Sequence, residues 1–180
     1  MSELSPTTTY EPRPALRLVR GERVDESEST WFCGRCAARV EPETVWPHAR
    51  DCPACARGIL VEARADAAPG ADDAFMVVDS QLIVRAVSNR ARVLFGVGIL
   101  GQPAAHLLTA PDAEDRGGSR EFIATLLAAT SGTEEVHSLC LRPRGAFGVR
   151  VTARIARCGP PRSALVVLRR ATPSPAVRLV

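Results

Sequence analysis

The order of apolar and polar positions divides the chain into unlike stretches. Residues 1–29 show only Leu16, Leu18 and Val19 as apolar positions in their middle, with no sustained period. A largely disordered arm with room for one short strand is expected there. From residue 73 the pattern becomes regular. Residues 74–87, AFMVVDSQLIVRAV, place two apolar runs around Asp79-Ser80-Gln81, which predicts a hairpin. Ser88 or Asn89 can cap a short helix that Gly96 would end. Pro103 fits the first turn of a second short helix. In Ser119–Thr130, Phe122, Ile123, Leu126 and Leu127 recur at helical spacing. Three strand candidates follow: Glu135–Arg142, Phe147–Ala156 and Ser163–Arg169. In the second, Phe147, Val149, Val151, Ala153 and Ile155 alternate with their neighbours. Gly159-Pro160-Pro161 predicts the turn before the third. Residues 65–72, ADAAPGAD, are small and predict a flexible linker, and residues 171–180, with two prolines, predict a loose tail.

Length changes the picture little: 180 residues suit one domain of roughly 100 plus something smaller. All 23 basic residues are arginine, which we ascribe to a GC-rich bacterial genome. In residues 1–72, 9 arginines face 12 carboxylates, and in residues 73–180, 14 face 8. Neither half carries the basic stripe expected of a nucleic-acid binder. The apolar runs, such as Ala164–Leu168, fall far short of the ~20 residues of a membrane-spanning helix. No charged start followed by an apolar stretch marks a secretory signal. The expected compartment is the cytoplasm, where paired cysteines hold metal more often than they form disulfides.

Cysteine spacing adds the candidate chemistry. Cys33-x-x-Cys36 and Cys52-x-x-Cys55 stand fifteen residues apart. A two-residue gap lets one tight turn present two thiolates from the same side, and two such turns complete a tetrahedral four-sulfur shell. Trp31 and Phe32 precede the first pair, and Gly58-Ile59-Leu60-Val61 follows the second. Residues 30–64 therefore resemble a zinc ribbon of the rubredoxin-like kind. One Zn2+ on Cys33, Cys36, Cys52 and Cys55 is expected, with iron the alternative metal. A filled shell leaves no open position for substrate, so the metal is expected to staple the fold. A redox dithiol is disfavoured because no thioredoxin-like unit surrounds either pair. His48 is expected at the surface, not in the shell.

The larger region carries a second resemblance. Val77, Val78, Asp79, Ile83, Val84, Asn89, Leu94, Phe95, Gly96, Leu100, Gly101, Pro103, Leu107 and Leu108 occur in the order found in the N-terminal half of PAS domains. The resemblance spans residues 73–170. It implies an α+β fold: a five-stranded antiparallel sheet with short helices on one face, preceded here by the small zinc ribbon. Flavin-binding members carry a cysteine that the stretch Gly101–His106 lacks. Haem-binding members often place a histidine on the long helix, and Ser119–Thr130 has none. Flavin is therefore not expected, and His106 and His137 are not expected to be haem ligands. Val77, Leu107, Ile123, Leu126, Val149 and Val151 are the candidate pocket residues. A filled core is slightly favoured over a small apolar ligand. Cys140 is expected to be a small core or sheet residue, and Cys158 a loop residue beside a turn.

No phosphate-binding glycine loop, activated nucleophile or zinc-protease motif is present, so no enzyme is expected. The expected role is sensory or regulatory, with the PAS domain sensing a signal or pairing. The ribbon would serve structure or bind an unidentified protein partner. Homodimerisation through the sheet face or the ribbon flank is expected, and no membrane association. The alternative is a transcription-associated nucleic-acid binder that uses the ribbon. Against it, Arg35, Arg39, Arg50, Arg57 and Arg64 are offset by Glu41, Glu43, Asp51 and Glu62.

Overall fold

The computed structural model describes residues 29–41, 51–111, 116–146 and 148–170. Most of the expected arm, His48, Phe147 and the 171–180 tail lie outside the described residues.

The hairpin forms where Asp79 predicts it. Strands β4 (Ala74–Val78) and β5 (Val84–Val87) pair antiparallel. The Asp79 carboxylate accepts the backbone N–H groups of Gln81 and Ile83, both at 2.9 Å. Such a side chain supplies the turn with its own acceptor. Ser88 then does two jobs. Its Oγ accepts from Ala91 N (3.1 Å), capping helix α1 (Asn89–Phe95), and from Phe75 N (3.0 Å), pinning the helix start to β4. Gly96 ends α1 at φ 93°, a backbone state that costs glycine little. A 3₁₀ turn at Ala104–His106 follows Pro103, and β6 (Leu108–Thr109) leads to α2 (Arg116–Ser131).

Strands β7 (His137–Pro143), β8 (Val151–Gly159) and β9 (Ser163–Arg170) complete the domain. Five strands of this domain lie in the order β5-β4-β9-β8-β7, with every neighbour antiparallel. In chain order this is second, first, fifth, fourth, third. That arrangement, with α1, the 3₁₀ turn and α2 on one face, is PAS-like. Buried Met76, Val78, Val151, Ala153, Ile155, Val166 and Leu168 meet Ala91, Leu108, Phe122 and Leu126 there.

The opposite face is not left to water. Strand β1 (Ser29–Cys33) pairs with β2 (Arg39–Val40) and with β3 (Leu60–Arg64). β3 in turn pairs with the end of β8, Glu62 with Gly159 and Ala63 with Cys158. The ribbon strands thereby continue the PAS-like sheet and pack over it. Phe32, Val61 and Ala63 cover Phe75, Val77, Leu165 and Val167. The Phe32 and Phe75 rings meet edge to face, centroids 5.6 Å apart at 80°. Burying each such ring contributes about 1.5–3 kcal/mol.

Several expectations change. The 65–72 segment is no loose linker at its centre: Ala67, Ala68 and Pro69 are buried. The N–H groups of Ala67 and Ala68 both donate to Arg64 O, at 3.0 and 2.9 Å. Arg154 adds a bond to the Asp66 carbonyl. Strand β8 begins four residues later than expected. Gly145 and Gly148 sit at φ 84° and 76°, which keeps the chain in a loop through Arg150 and leaves Val149 exposed. Cys158 is a buried strand residue, not a loop residue, and Cys140 lies in the sheet but faces solvent.

Candidate metal centre

Each cysteine pair sits on a tight turn, and the two are built alike except that the second closes one residue wider. In the first, Ala37 N donates to Cys33 O (3.0 Å) and Cys33 N to Ala38 O (2.9 Å). In the second, Ala56 N donates to Cys52 O (2.8 Å) and Cys52 N to Gly58 O (2.8 Å). The residue after each second cysteine turns left-handed: Ala37 at φ 62° and Ala56 at φ 49°. This turn aims two sulfurs the same way and leaves amide hydrogens near them. Arg35 N and Cys36 N lie 3.4 and 3.5 Å from Cys33 Sγ.

The turns face each other, and all four sulfurs lie within 4.8 Å of one another. Cys33 Sγ to Cys55 Sγ and Cys36 Sγ to Cys52 Sγ are both 3.7 Å. A disulfide needs about 2.05 Å, and all four thiols are free. A tetrahedron with metal–sulfur bonds of about 2.3 Å has edges of about 3.8 Å. The donor set and its spacing therefore fit one tetrahedral thiolate-bound ion. The thiols differ in their surroundings. Burial pushes the Cys33 thiol up to about 12 and raises Cys36 as well. The Arg57 N–H holds Cys55 down, to about 7. Four thiolates this close need a divalent cation to lose their protons together.

Gly58 is a site residue that sequence reasoning treated only as a flank. A Cβ there would stand 2.2 Å from Cys33 Sγ and 2.9 Å from Arg35 Cβ. Its signal was its place just after the second turn, where the returning strand crosses under the sulfurs. Gly34 performs a milder version against the sheet domain, where a Cβ would come 3.2 Å from Ala86 Cβ. Beside it, Asn89 N donates to Arg35 O at 3.2 Å, joining the first turn to the start of α1.

The six pocket candidates do not converge. Leu126 and Val151 are buried together on the helix side, with half-buried Leu107 against them. Ile123 is half-buried on α2. Val77 belongs to the ribbon side because it alternates with Met76 and Val78, and Val149 is exposed. Two clefts lie elsewhere. One, of about 480 Å3, is lined by Glu62, Arg64, Glu134, Arg157 and Arg162, among others. The other, of about 220 Å3, lies between Arg35 and Cys36 of the first turn and Asp72, Asn89 and Arg90. None of the six lines either cleft. His106 is exposed, and His137 lies 3.5 Å from the Glu135 carboxylate. Among the described residues no helix is long and apolar enough to cross a membrane.

No family model matches the chain, and no curated protein matches it significantly. The solved structures similar to it include three PAS domains. That of nitrogen regulation protein NR(II) from Vibrio parahaemolyticus is 15% identical over 55% of this chain and 89% of that one, with a TM-score of 0.41. That of an HTR-like protein from Haloarcula marismortui is 18% identical over 55% and 86%, TM-score 0.41. That of a Colwellia psychrerythraea protein is 15% identical over 57% and 88%, TM-score 0.43. At these values the likeness assigns no function, and the PAS-like description stands on the strand order.

Proposed function

We propose that the chain is a non-catalytic sensory or regulatory protein in which one Zn2+, held by Cys33, Cys36, Cys52 and Cys55, fixes a ribbon against a PAS-like domain. The observation that carries this is the pair of facing turns with 3.7 Å sulfur separations. Zinc suits a shell of four thiolates that closes the site and does no redox work. All four ligands come from the protein, so no position is left for a substrate. The compartment this requires is a reducing one such as the cytoplasm, where thiols stay available to metal.

The signal, in this proposal, is not a molecule held among the six pocket residues, because they point to different surroundings. The output runs through a protein partner. Pairing of two chains through the sheet face is not part of this proposal, since Phe32, Val61 and Ala63 lie over it. No observation favours the nucleic-acid alternative over this one. Native mass spectrometry of the purified chain tests the proposal. One zinc per chain is expected, lost on acidification and restored by added zinc. Iron in its place, or no metal at all, contradicts it.

A further inference from the structure

Where the ribbon meets the sheet domain, a cleft of about 480 Å3 opens. That volume suits a small-molecule site, and such sites favour junctions between structural units. Both units build this one. Strand β3 brings Glu62 and Arg64, two residues apart and so on one side of the pleat. The segment after α2 brings Glu134, β8 brings Arg157, and the turn before β9 brings Arg162. Gly159 stands opposite Glu62 in the strand register and sets no side chain beside that carboxylate. The charges of the cleft fall into two groups. Arg64 is engaged at all three nitrogens: Nε and Nη2 donate to the Asp66 carboxylate at 3.0 and 2.9 Å, and Nη1 to Glu134 O at 3.1 Å. The Glu134 carboxylate accepts from one nitrogen of Arg157. The side chains of Glu62 and Arg162 have no hydrogen bond or ion pair among the described residues. Glu62 is half-buried. A carboxylate so placed costs free energy unless water or a ligand answers it, and here it stays unpaired although three guanidinium groups line the same cleft.

We propose that this cleft binds a free α-amino acid, its carboxylate on Arg157 and Arg162 and its ammonium group on Glu62. The charge balance selects a zwitterion. Three arginines and two glutamates line the cleft, and Asp66 neutralises Arg64, so no net charge is left for a ligand to cancel. A dianion, such as phosphate or a dicarboxylate, would face the unpaired Glu62. A simple amine would face the unpaired Arg162. A ligand with one charge of each sign satisfies both. Glu134 holds one end of the Arg157 guanidinium, which pre-sets its planar fork for a carboxylate. Pro160 lines the same cleft and offers apolar surface to the ligand's side chain. This deepens the regulatory reading above by naming its signal, and rests on it for that role. Because the site is half ribbon and half sheet domain, a bound ligand favours the docked arrangement of the two.

The test is isothermal titration calorimetry on the full, metal-loaded chain, with the standard L-amino acids offered singly and zinc content measured in parallel. At least one should bind with a Kd below about 1 mM, and its N-acetyl derivative and succinate should bind about tenfold more weakly. Glu62→Gln should weaken the amino acid about tenfold without weakening the N-acetyl derivative, and Arg162→Ala should weaken both. Neither side chain has a partner in the fold, so both variants should keep the zinc content of the unmodified chain. No binding of any amino acid up to about 10 mM, at full zinc content, overturns the site and leaves the zinc reading standing. An N-acetyl derivative or succinate that binds as tightly as the amino acid overturns the zwitterion. An affinity that neither substitution moves overturns the assigned cleft. Binding by a chain that holds no zinc overturns the zinc reading and leaves the cleft standing.

Discussion

Replacing Gly58 by alanine adds one methyl group where a sulfur already stands. The new Cβ would lie 2.2 Å from Cys33 Sγ, 3.4 Å from Cys55 Sγ and 2.9 Å from Arg35 Cβ. Carbon and sulfur do not approach closer than about 3.5 Å without steep repulsion, so Cys33 Sγ or the returning strand must move by about an ångström. Cys33 is fully buried and its backbone is bonded to Ala38, so it has little room to yield. Displacing a supporting residue of a metal shell typically costs 10–100-fold in affinity. Here the clash is with a ligand, and we expect about 100-fold, or roughly 2.7 kcal/mol. Competition with a chromophoric chelator measures it. Gly70→Ala is the control, because its Cβ would meet nothing closer than 3.6 Å. A Gly58→Ala affinity within threefold of the unmodified chain, or equal to that of Gly70→Ala, refutes the packing argument.

Three further outcomes follow from the fold. Phe32→Ala and Phe75→Ala should each destabilise by about 3–5 kcal/mol. Their double-mutant cycle should show about 0.5–1.5 kcal/mol of coupling by urea unfolding, and additive effects would separate the ribbon from the sheet. Ile155→Ala should cost about 2–5 kcal/mol, whereas Val149→Ala should stay within about 0.5 kcal/mol. The reverse order would restore the longer strand. Burial pushes the Cys158 thiol up to about 12. Its neutral form is the one the fold stabilises, so this contribution is intact below the unfolded value near 9. It is lost as pH rises from there towards 12, at a slope of up to about 1.4 kcal/mol per pH unit. Unfolding measured at pH 8 and pH 10.5 should show this loss in the unmodified chain and less of it in Cys158→Ala.

What was legible in the sequence was local. A two-residue gap between cysteines dictates a turn, so the four cysteines that cluster could be named without the fold. Asp79 and Gly96, and Ser88 in its cap to Ala91, punctuate the chain through bonds to residues only a few positions away. Docking of the ribbon was not local, since it depends on register across the ends of β3 and β8. A signal for it was nonetheless present. Phe75–Val78 and Ala164–Leu168 are uninterrupted apolar runs, and a strand with water on one face alternates. Those runs require cover on both faces, and Phe32 and Val61 supply the second. Val149 misled because its apolar neighbours keep the period of two, while Gly148 breaks the extended backbone before it. Ala67 and Ala68 misled because small residues suit flexible linkers and tight packing alike.

The central claim is that four sulfurs surround one ion and hold the ribbon in place. X-ray absorption at the zinc edge of the purified chain tests it most directly. A single shell of four sulfurs at about 2.3 Å is expected, lost when Cys36 is replaced by serine. Nitrogen or oxygen in the first shell, or fewer sulfurs than four, would contradict it.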